Sequence, residues 1–306
     1  MAALYTPAAA GAQARRVVLA TSGRGRERSP RSLIFMGLLW LSLLVGFATL
    51  ATLLVHTVID GADRLDGRLF TLYPSSRAED AGARPAILGS LWVIGTTAVL
   101  AVPLGVAAAV HLEEYADRKR WWNRLIEINI SNLSAVPAII YGMLALGTLA
   151  LIGVQQKNIV IGGAMALAML ILPVIIISTR EAVRAVPREL RDGSLAVGAT
   201  DLQTTWRITL PAALPGIATG TILGLSRALG EAAPLLLLGG LVFLRFDPNG
   251  MLSQFTTMPI QIFSWTSQPQ AEFHTLAAAS SMLLMLLVLL MNGAAIFIRN
   301  RYQKRW

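Results

Sequence analysis

Six apolar stretches, at roughly 33–58, 87–110, 130–153, 159–178, 212–242 and 274–298, constrain this chain more than any other feature. A bilayer crossing needs about 20 apolar residues. Hydrocarbon offers no water to a backbone amide, so each crossing has to satisfy its own hydrogen bonds as a helix. The rest of the composition agrees. Hydrophobic residues make up 55% of the chain and charged residues only 14%, with mean hydropathy +0.60, whereas a soluble domain carries about a quarter charged residues. The expected fold is an all-α integral membrane protein with six transmembrane helices. Leu33 to Val58 exceeds the 7–15 residues of a signal-peptide core and is read as a retained first helix.

The formal charge of +9 raises the question of a nucleic-acid surface, and the distribution of the charge answers it. Lys and Arg number six in residues 1–32, four in 111–127, five in 179–211 and four in 299–306. The opposite set of loops holds six: Arg64, Arg68, Arg77, Arg84, Lys157 and Arg245. Basic loops are retained in the cytoplasm, so both termini are expected there, and no nucleic-acid partner is implied. This divides the chain into a disordered, basic cytoplasmic tail (1–32), a first helix with its outer loop (33–86), a core (87–300) and a short cytoplasmic tail (301–306).

The longest inner loop, 180–211, carries its own folding signals. Pro187 suits a first helical turn, where its missing N–H is not needed. Gly198 suits the position after a helix end, where positive φ is required. Thr200 followed by Gln203 fits a capping box that opens a second helix. That helix is expected to stop near Leu210, because Pro211 disfavours helical geometry in its predecessor. The product is a bent, rigid pair of short helices, a shape suited to transmitting force.

The stretch 212–242 holds Ala212, Gly216, Gly220, Gly224, Ala228 and Ala232 at a uniform spacing of four. Such a row lets a neighbouring helix approach closely, and the sequence does not choose the neighbour. One row over stand Arg227 and Glu231, again four apart. A mid-span arginine costs about 2.5–3.5 kcal/mol on insertion scales and so faces a cavity or a partner. Either the two charges neutralise each other and orient the helix, or Arg227 supplies positive potential along an anion route that Glu231 tunes. The planar guanidinium fork suits an oxyanion. Pro234 leaves the Gly230 carbonyl without its helical donor, so a kink or break is expected nearby. The stretch 130–153 opens with polar residues, of which Asn132, Ser134 and Tyr141 either contact a passing solute or bond between helices. Pro137 is placed to bend it. Arg180 and Glu181 read as an anchor at the inner interface. The outer segment 243–273, rich in Pro, Gly and aromatics, reads as a structured cap.

Several chemistries lack their residues. No Gly-x-x-x-x-Gly-Lys-Ser/Thr motif occurs, so no ATP-binding loop of that kind is present. His56, His111 and His274 show no metal spacing, and cysteine is absent. No nucleophile–base pair stands out, so the chain does not read as an enzyme.

Residues 192–211, DGSLAVGATDLQTTWRITLP, resemble the coupling loop of ABC-importer permeases, which reads Glu-Ala-Ala, three residues, Gly, nine residues, Ile, any residue, Leu-Pro. Gly198, Ile208, Leu210 and Pro211 fall on register, and Asp192, Gly193 and Ser194 replace Glu-Ala-Ala. NLSAVPAIIYG (132–142), SRALGEAAPLLLL (226–238) and TMPIQIFSWTSQP (257–269) extend the resemblance to the A-type permeases of bacterial phosphate-specific transporters, and the first two also resemble the C-type sister. The resemblance implies a type I importer permease fold in the bacterial inner membrane. It implies a sister permease as heterodimer partner, two ATPase subunits that carry ATP and Mg²⁺, an extracytoplasmic phosphate-binding protein and surrounding lipid. No cofactor on this chain is implied. Asp192, Gly193, Ser194, Gly198, Ala199, Thr200, Ile208 and Pro211 would meet the ATPase. Arg227 and Glu231, with Asn132, Ser134 and Tyr141, would line the substrate path. Another oxyanion such as molybdate, sulfate or phosphonate, the C-type sister role, and a mainly phosphate-sensing role remain as alternatives.

Overall fold

The computed structural model describes residues 30–117, 119–240 and 243–302, which divide into two units between Val55 and His56. Most of the expected basic tail (1–29) and residues 303–306 lie outside the described residues. Helix α1, Pro30–Gly61, has 32 residues and is about 48 Å long at 1.5 Å per residue. Within the first unit its Trp40, Leu44 and Phe47 side chains are exposed, the surface a helix needs when lipid is its solvent.

The second unit contains α2 (Gly67–Thr71), α3 (Arg84–Val110), α4 (Trp121–Leu133), α5 (Ala138–Leu151) and α6 (Val160–Arg184). It continues with α7 (Arg188–Ala196), α8 (Asp201–Thr204), α9 (Leu210–Leu229), α10 (Ala233–Leu237), α11 (Met258–Thr266) and α12 (Ala271–Tyr302). Among the described residues, five helices are long and apolar enough to cross a membrane, and α4 with α5 forms a sixth candidate bent by 111°. Among the described residues, β structure is limited to one isolated bridge, Ile159 to Gln254.

Contacts at the two ends of α3 and α6 show that these helices run in the same direction. At their starts, Arg84 donates to both carboxylate oxygens of Asp247, and Val160 and Ile161 donate to the carbonyls of Ser253 and Met251. At their far ends, Glu113 pairs with Arg180 and Arg184. The chain between them therefore returns once, and α4–α5 together make that return. The core lies among α3, α5, α6 and α10, where Val93, Leu149, Ile171, Ile175, Leu235 and Phe255 are buried. A second cluster joins α11 and α12 through Met258, Trp265, Phe273 and Leu276. The segment 243–273 is accordingly structured, as expected.

Four expected boundaries differ. The third stretch is not one helix over 130–153: α4 begins at Trp121, the chain breaks at Ser134–Pro137, and α5 restarts at Ala138. Pro137 takes φ −56°, ψ 133° at the start of α5. Its ring pushes Val136 away from helical geometry. The fifth span ends at Leu229 rather than running to 242, so Ala232 lies beyond the helix that carries the rest of the small-residue row. The largest departure is at Pro211, where no helix stops. Residues Thr205–Thr209 form a π turn, Leu210 is helical at φ −65°, ψ −46°, and the helix continues from Asp201 to Leu229. A π turn lengthens the local hydrogen-bonded ring, and the proline's missing N–H is absorbed at that widened turn. Pro187, one position earlier than expected, is the N-cap of α7 rather than part of its first turn.

Candidate functional site

The segment between α6 and α9 folds as two short helices around a tight turn. Helix α7 ends at Ala196, and Gly198 takes φ +89° with its N–H donated to the Leu195 carbonyl at 2.9 Å. Residues with a Cβ rarely hold that conformation, which explains glycine here. Thr200 then caps α8 reciprocally. The Gln203 N–H donates to Thr200 Oγ1 at 3.2 Å, and the Thr200 N–H donates to Gln203 Oε1 at 3.0 Å. Ser194 and Thr204 hydroxyls meet at 2.9 Å and tie the two helices together. Asp192 and Gly193 are exposed on α7, Ala199 and Ile208 are half-buried, and Pro211 is exposed.

The tip of this pair carries apolar groups that pattern reading missed. Val197 is 85% exposed, and Leu195, Leu202 and Trp206 are also exposed. A polar helix pair with apolar side chains at its projecting turn has the composition of a docking edge. The signal was present in the sequence as apolar residues flanking Gly198.

The small-residue row faces α6 within this chain. A Cβ on Gly216 would lie 2.7 Å from the Ala182 Cβ, one on Gly220 would collide with Ser178, and one on Gly224 would lie 3.7 Å from Ile175 Cγ1. The glycines thus set the approach of α9 to α6 by van der Waals packing. At the far end of α9, Arg227 Nε lies 3.7 Å from Glu231 Oε1, and the two side chains are 56% and 25% exposed. The helix breaks between them, and α10 begins with Ala233–Pro234. The Pro234 backbone lies so close to Gly142 of α5 that a Cβ there would approach the Pro234 Cα to 2.9 Å.

The polar residues of the third stretch separate into two groups. Asn132 and Ser134 are exposed, with the Ser134 hydroxyl donating to the Ser131 carbonyl at 2.6 Å. Tyr141 is 3% exposed and donates to the Leu133 carbonyl at 2.6 Å. It fastens α5 to the end of α4 across the Pro137 break, which answers an orphaned helix-terminal carbonyl. The geometry brings Gly142, Pro234 and the two helix breaks together, and it leaves the Tyr141 hydroxyl engaged with the main chain.

A charged network at the base of α7 was largely invisible in the sequence. Beyond Val110, α3 continues through a π turn, His111–Tyr115, that presents Glu113 and Glu114. Arg180 Nε lies 3.3 Å from Glu113 Oε2, and Arg180 Nη2 lies 2.5 Å from Glu127 Oε1 of α4. Arg184 Nη2 lies 3.0 Å from Glu113 Oε2. Arg191 of α7 reaches Glu114 Oε1 at 2.9 Å and the Val183 carbonyl at 2.8 Å. Arg180 was expected, with Glu181, to be an anchor, and the rest of this network was not expected. The acidic partners of Arg180 lie 67 and 53 residues away, beyond any local pattern. Among the described residues, no three of His, Cys, Asp and Glu group to hold a metal ion.

The family described as "Binding-protein-dependent transport system inner membrane component" matches residues 101–304. The probable ABC transporter permease protein YqgI of Bacillus subtilis is 34% identical over 217 residues, 71% of this chain and 73% of that protein. The phosphate transport system permease protein PstA of Haemophilus influenzae is 30% identical over 255 residues, 82% of this chain and 88% of that protein. PstA 1 of Mycobacterium tuberculosis H37Rv is 34% identical over 190 residues, 62% of this chain and 60% of that protein. Among solved structures, a bacterial alginate ABC transporter in complex with an alginate pentasaccharide-bound periplasmic protein gives TM-score 0.64 at 15% identity. It covers 92% of this chain and 99% of that chain. The inward-facing MetNI methionine transporter gives TM-score 0.54 at 18% identity, covering 73% and 95%. A paired-helix projection between two closely packed spans, set in a multi-pass helical membrane protein with these relatives, leaves one assignment: the chain belongs to the binding-protein-dependent inner membrane components, the permease subunits of ABC importers.

Proposed function

We propose that this permease carries inorganic phosphate inward, with ATP hydrolysed on separate subunits. What supports phosphate is the 30% identity to the Haemophilus influenzae phosphate permease across 88% of that protein's length. The same fold serves the methionine and alginate transporters, so the fold by itself does not select the ion. In this reading both termini are cytoplasmic, residues 1–32 and 301–306 are tails, 33–86 carry the first crossing and 87–300 form the transport core. Two ATPase subunits, which hold ATP and Mg²⁺, dock on the 180–211 loop, with Asp192, Gly193, Ser194, Gly198, Ala199, Thr200, Ile208 and Pro211 framing the exposed tip around Val197. A sister permease completes the path, and an extracytoplasmic binding protein delivers phosphate. Arg227, more than half exposed in the last turn of α9 rather than in mid-span, supplies positive potential, with Glu231 tuning it. Asn132 and Ser134 remain open to a passing ion, whereas Tyr141 serves the path by holding α5 in place.

Labelled-phosphate uptake tests this reading in cells lacking the gene, complemented with wild type or Arg227→Ala at matched membrane levels. The Arg227–Glu231 contact is loose, and an exposed pair of this kind is worth only about 0.2–1 kcal/mol, so the variant should fold. Uptake restored by wild type and reduced at least tenfold in the variant is expected for a guanidinium on the anion's route. Equal uptake by both demotes Arg227 to a structural role. Failure of the wild type, with molybdate or sulfate uptake restored instead, overturns phosphate as the substrate.

A further inference from the structure

Glu113 and Glu114 are neighbours in sequence but serve different parts of the molecule. Glu113 is buried to 4% exposure between Arg180 and Arg184 of α6. Glu114, at 13%, reaches Arg191 of α7. Successive helical side chains diverge by about 100°, so one turn of α3 can grip both the membrane helix and the projecting helix. Arg191 completes the joint by also donating to the Val183 carbonyl, across the Ala185–Pro187 corner where α6 gives way to α7. Glu127 brings α4 into the same joint through Arg180. Beneath it Val183, Val186, Ala213 and Ile217 are buried together.

We propose that the Glu114–Arg191 pair and the Glu113–Arg180–Arg184 cluster form a strut that locks the angle of α7 to α3 and α6. These are positioning residues: they turn a push on the projecting helices into movement of the membrane core. Energetics favours this role over simple stabilisation. Charges taken out of water lose hydration, and well-packed apolar groups often hold a fold as well as a buried ion pair does. Ion pairs with fixed donors and acceptors do enforce direction, because a guanidinium fork accepts only a narrow range of carboxylate orientations. Force reaching Val197 would otherwise be lost as bending at the Pro187 corner. The inference rests on the ATPase-docking role proposed above.

Two measurements separate the strut from that role. The chain contains no cysteine, so Val197→Cys and Val99→Cys, both at exposed positions, can be spin-labelled specifically in the full-length protein in lipid nanodiscs. Glu114→Gln and Arg191→Gln should each broaden the label–label distance distribution about twofold, and Glu114→Arg with Arg191→Glu should narrow it again, as expected for a directly coupled pair. In the assembled transporter, each single variant should keep the ATPase bound but lower phosphate carried per ATP hydrolysed by about tenfold. Unchanged distance distributions in the single variants overturn the strut. So does a single variant lost from the membrane and not recovered by the reversed pair, since the pair would then serve folding alone. A strut verified by distances in a wild-type chain that recruits no ATPase overturns the docking role instead.

Discussion

A methyl group added at Gly220 has nowhere to go, because its Cβ would collide with Ser178 Oγ and Cβ of α6. One turn on, a methyl at Gly224 would meet Ile175 Cγ1 at 3.7 Å, an ordinary contact. The two glycines look alike in sequence, and only the distance to α6 separates them. Overpacking a close helix contact costs about 1–3 kcal/mol, whereas alanine improves helix propensity over glycine by up to about 1 kcal/mol. Gly220→Ala is therefore expected to lower the thermal unfolding midpoint of the purified protein in detergent, and Gly224→Ala to leave it unchanged or slightly raised. Equal effects would mean that the row does not set the α6–α9 distance. Tyr141 teaches a related lesson. Its hydroxyl left two readings open in sequence, a passing solute or a bond between helices, and it donates to the Leu133 carbonyl, a partner that exists only because α4 ends there.

At the scale of elements, what could be read from the sequence was what local chemistry dictates. The turn at Gly198 and the Thr200–Gln203 capping box depend on residues within four positions of one another, and both have the expected geometry. The breaks were harder to read. Pro137 and Pro211 send the same local signal, but the chain breaks at Pro137 and continues through Pro211, where a π turn accommodates the ring. Packing of the surrounding helices decides between those outcomes, and a short pattern does not contain that information. The charged joint at Glu113 and Glu114 was illegible for the same reason: its partners are brought in by tertiary structure. The Gly198 turn offers the sharpest test at this scale. Proline holds φ near −65°, which is incompatible with +89°, and it would delete the N–H that reaches Leu195. Gly198→Pro is expected to reach the membrane at normal levels, since no neighbouring atom lies within 4 Å of that Cβ position, yet to lose most co-purifying ATPase. Undiminished co-purification would dissociate the turn from docking.

For the whole molecule, hydropathy pointed to six crossings, against five long apolar helices and one bent pair among the described residues, and charge bias suggested their direction. The ends of α3 and α6 now give an independent geometric constraint. Their starts meet the 247–254 segment and their far ends meet at Glu113, so Leu252 and the α7–α8 projection belong to opposite ends of the same helical layer. Basic residues flank the projection, and the positive-inside rule assigns that end to the cytoplasm. The prediction can be made residue by residue because the chain has no cysteine of its own and because Val197 and Leu252 are 85% and 74% exposed. With a membrane-impermeant thiol reagent, Leu252→Cys should label in intact spheroplasts, and Val197→Cys only in inverted vesicles. The reverse pattern would invert the chain, placing the projection where no cytosolic ATPase can reach it. Labelling of both from one side would contradict a crossing by α6, whose start meets Met251 and Ser253 and whose far end leads into the projection. The proposed docking of ATPase subunits depends on this result, because only a cytoplasmic projection would meet subunits that hydrolyse cytosolic ATP.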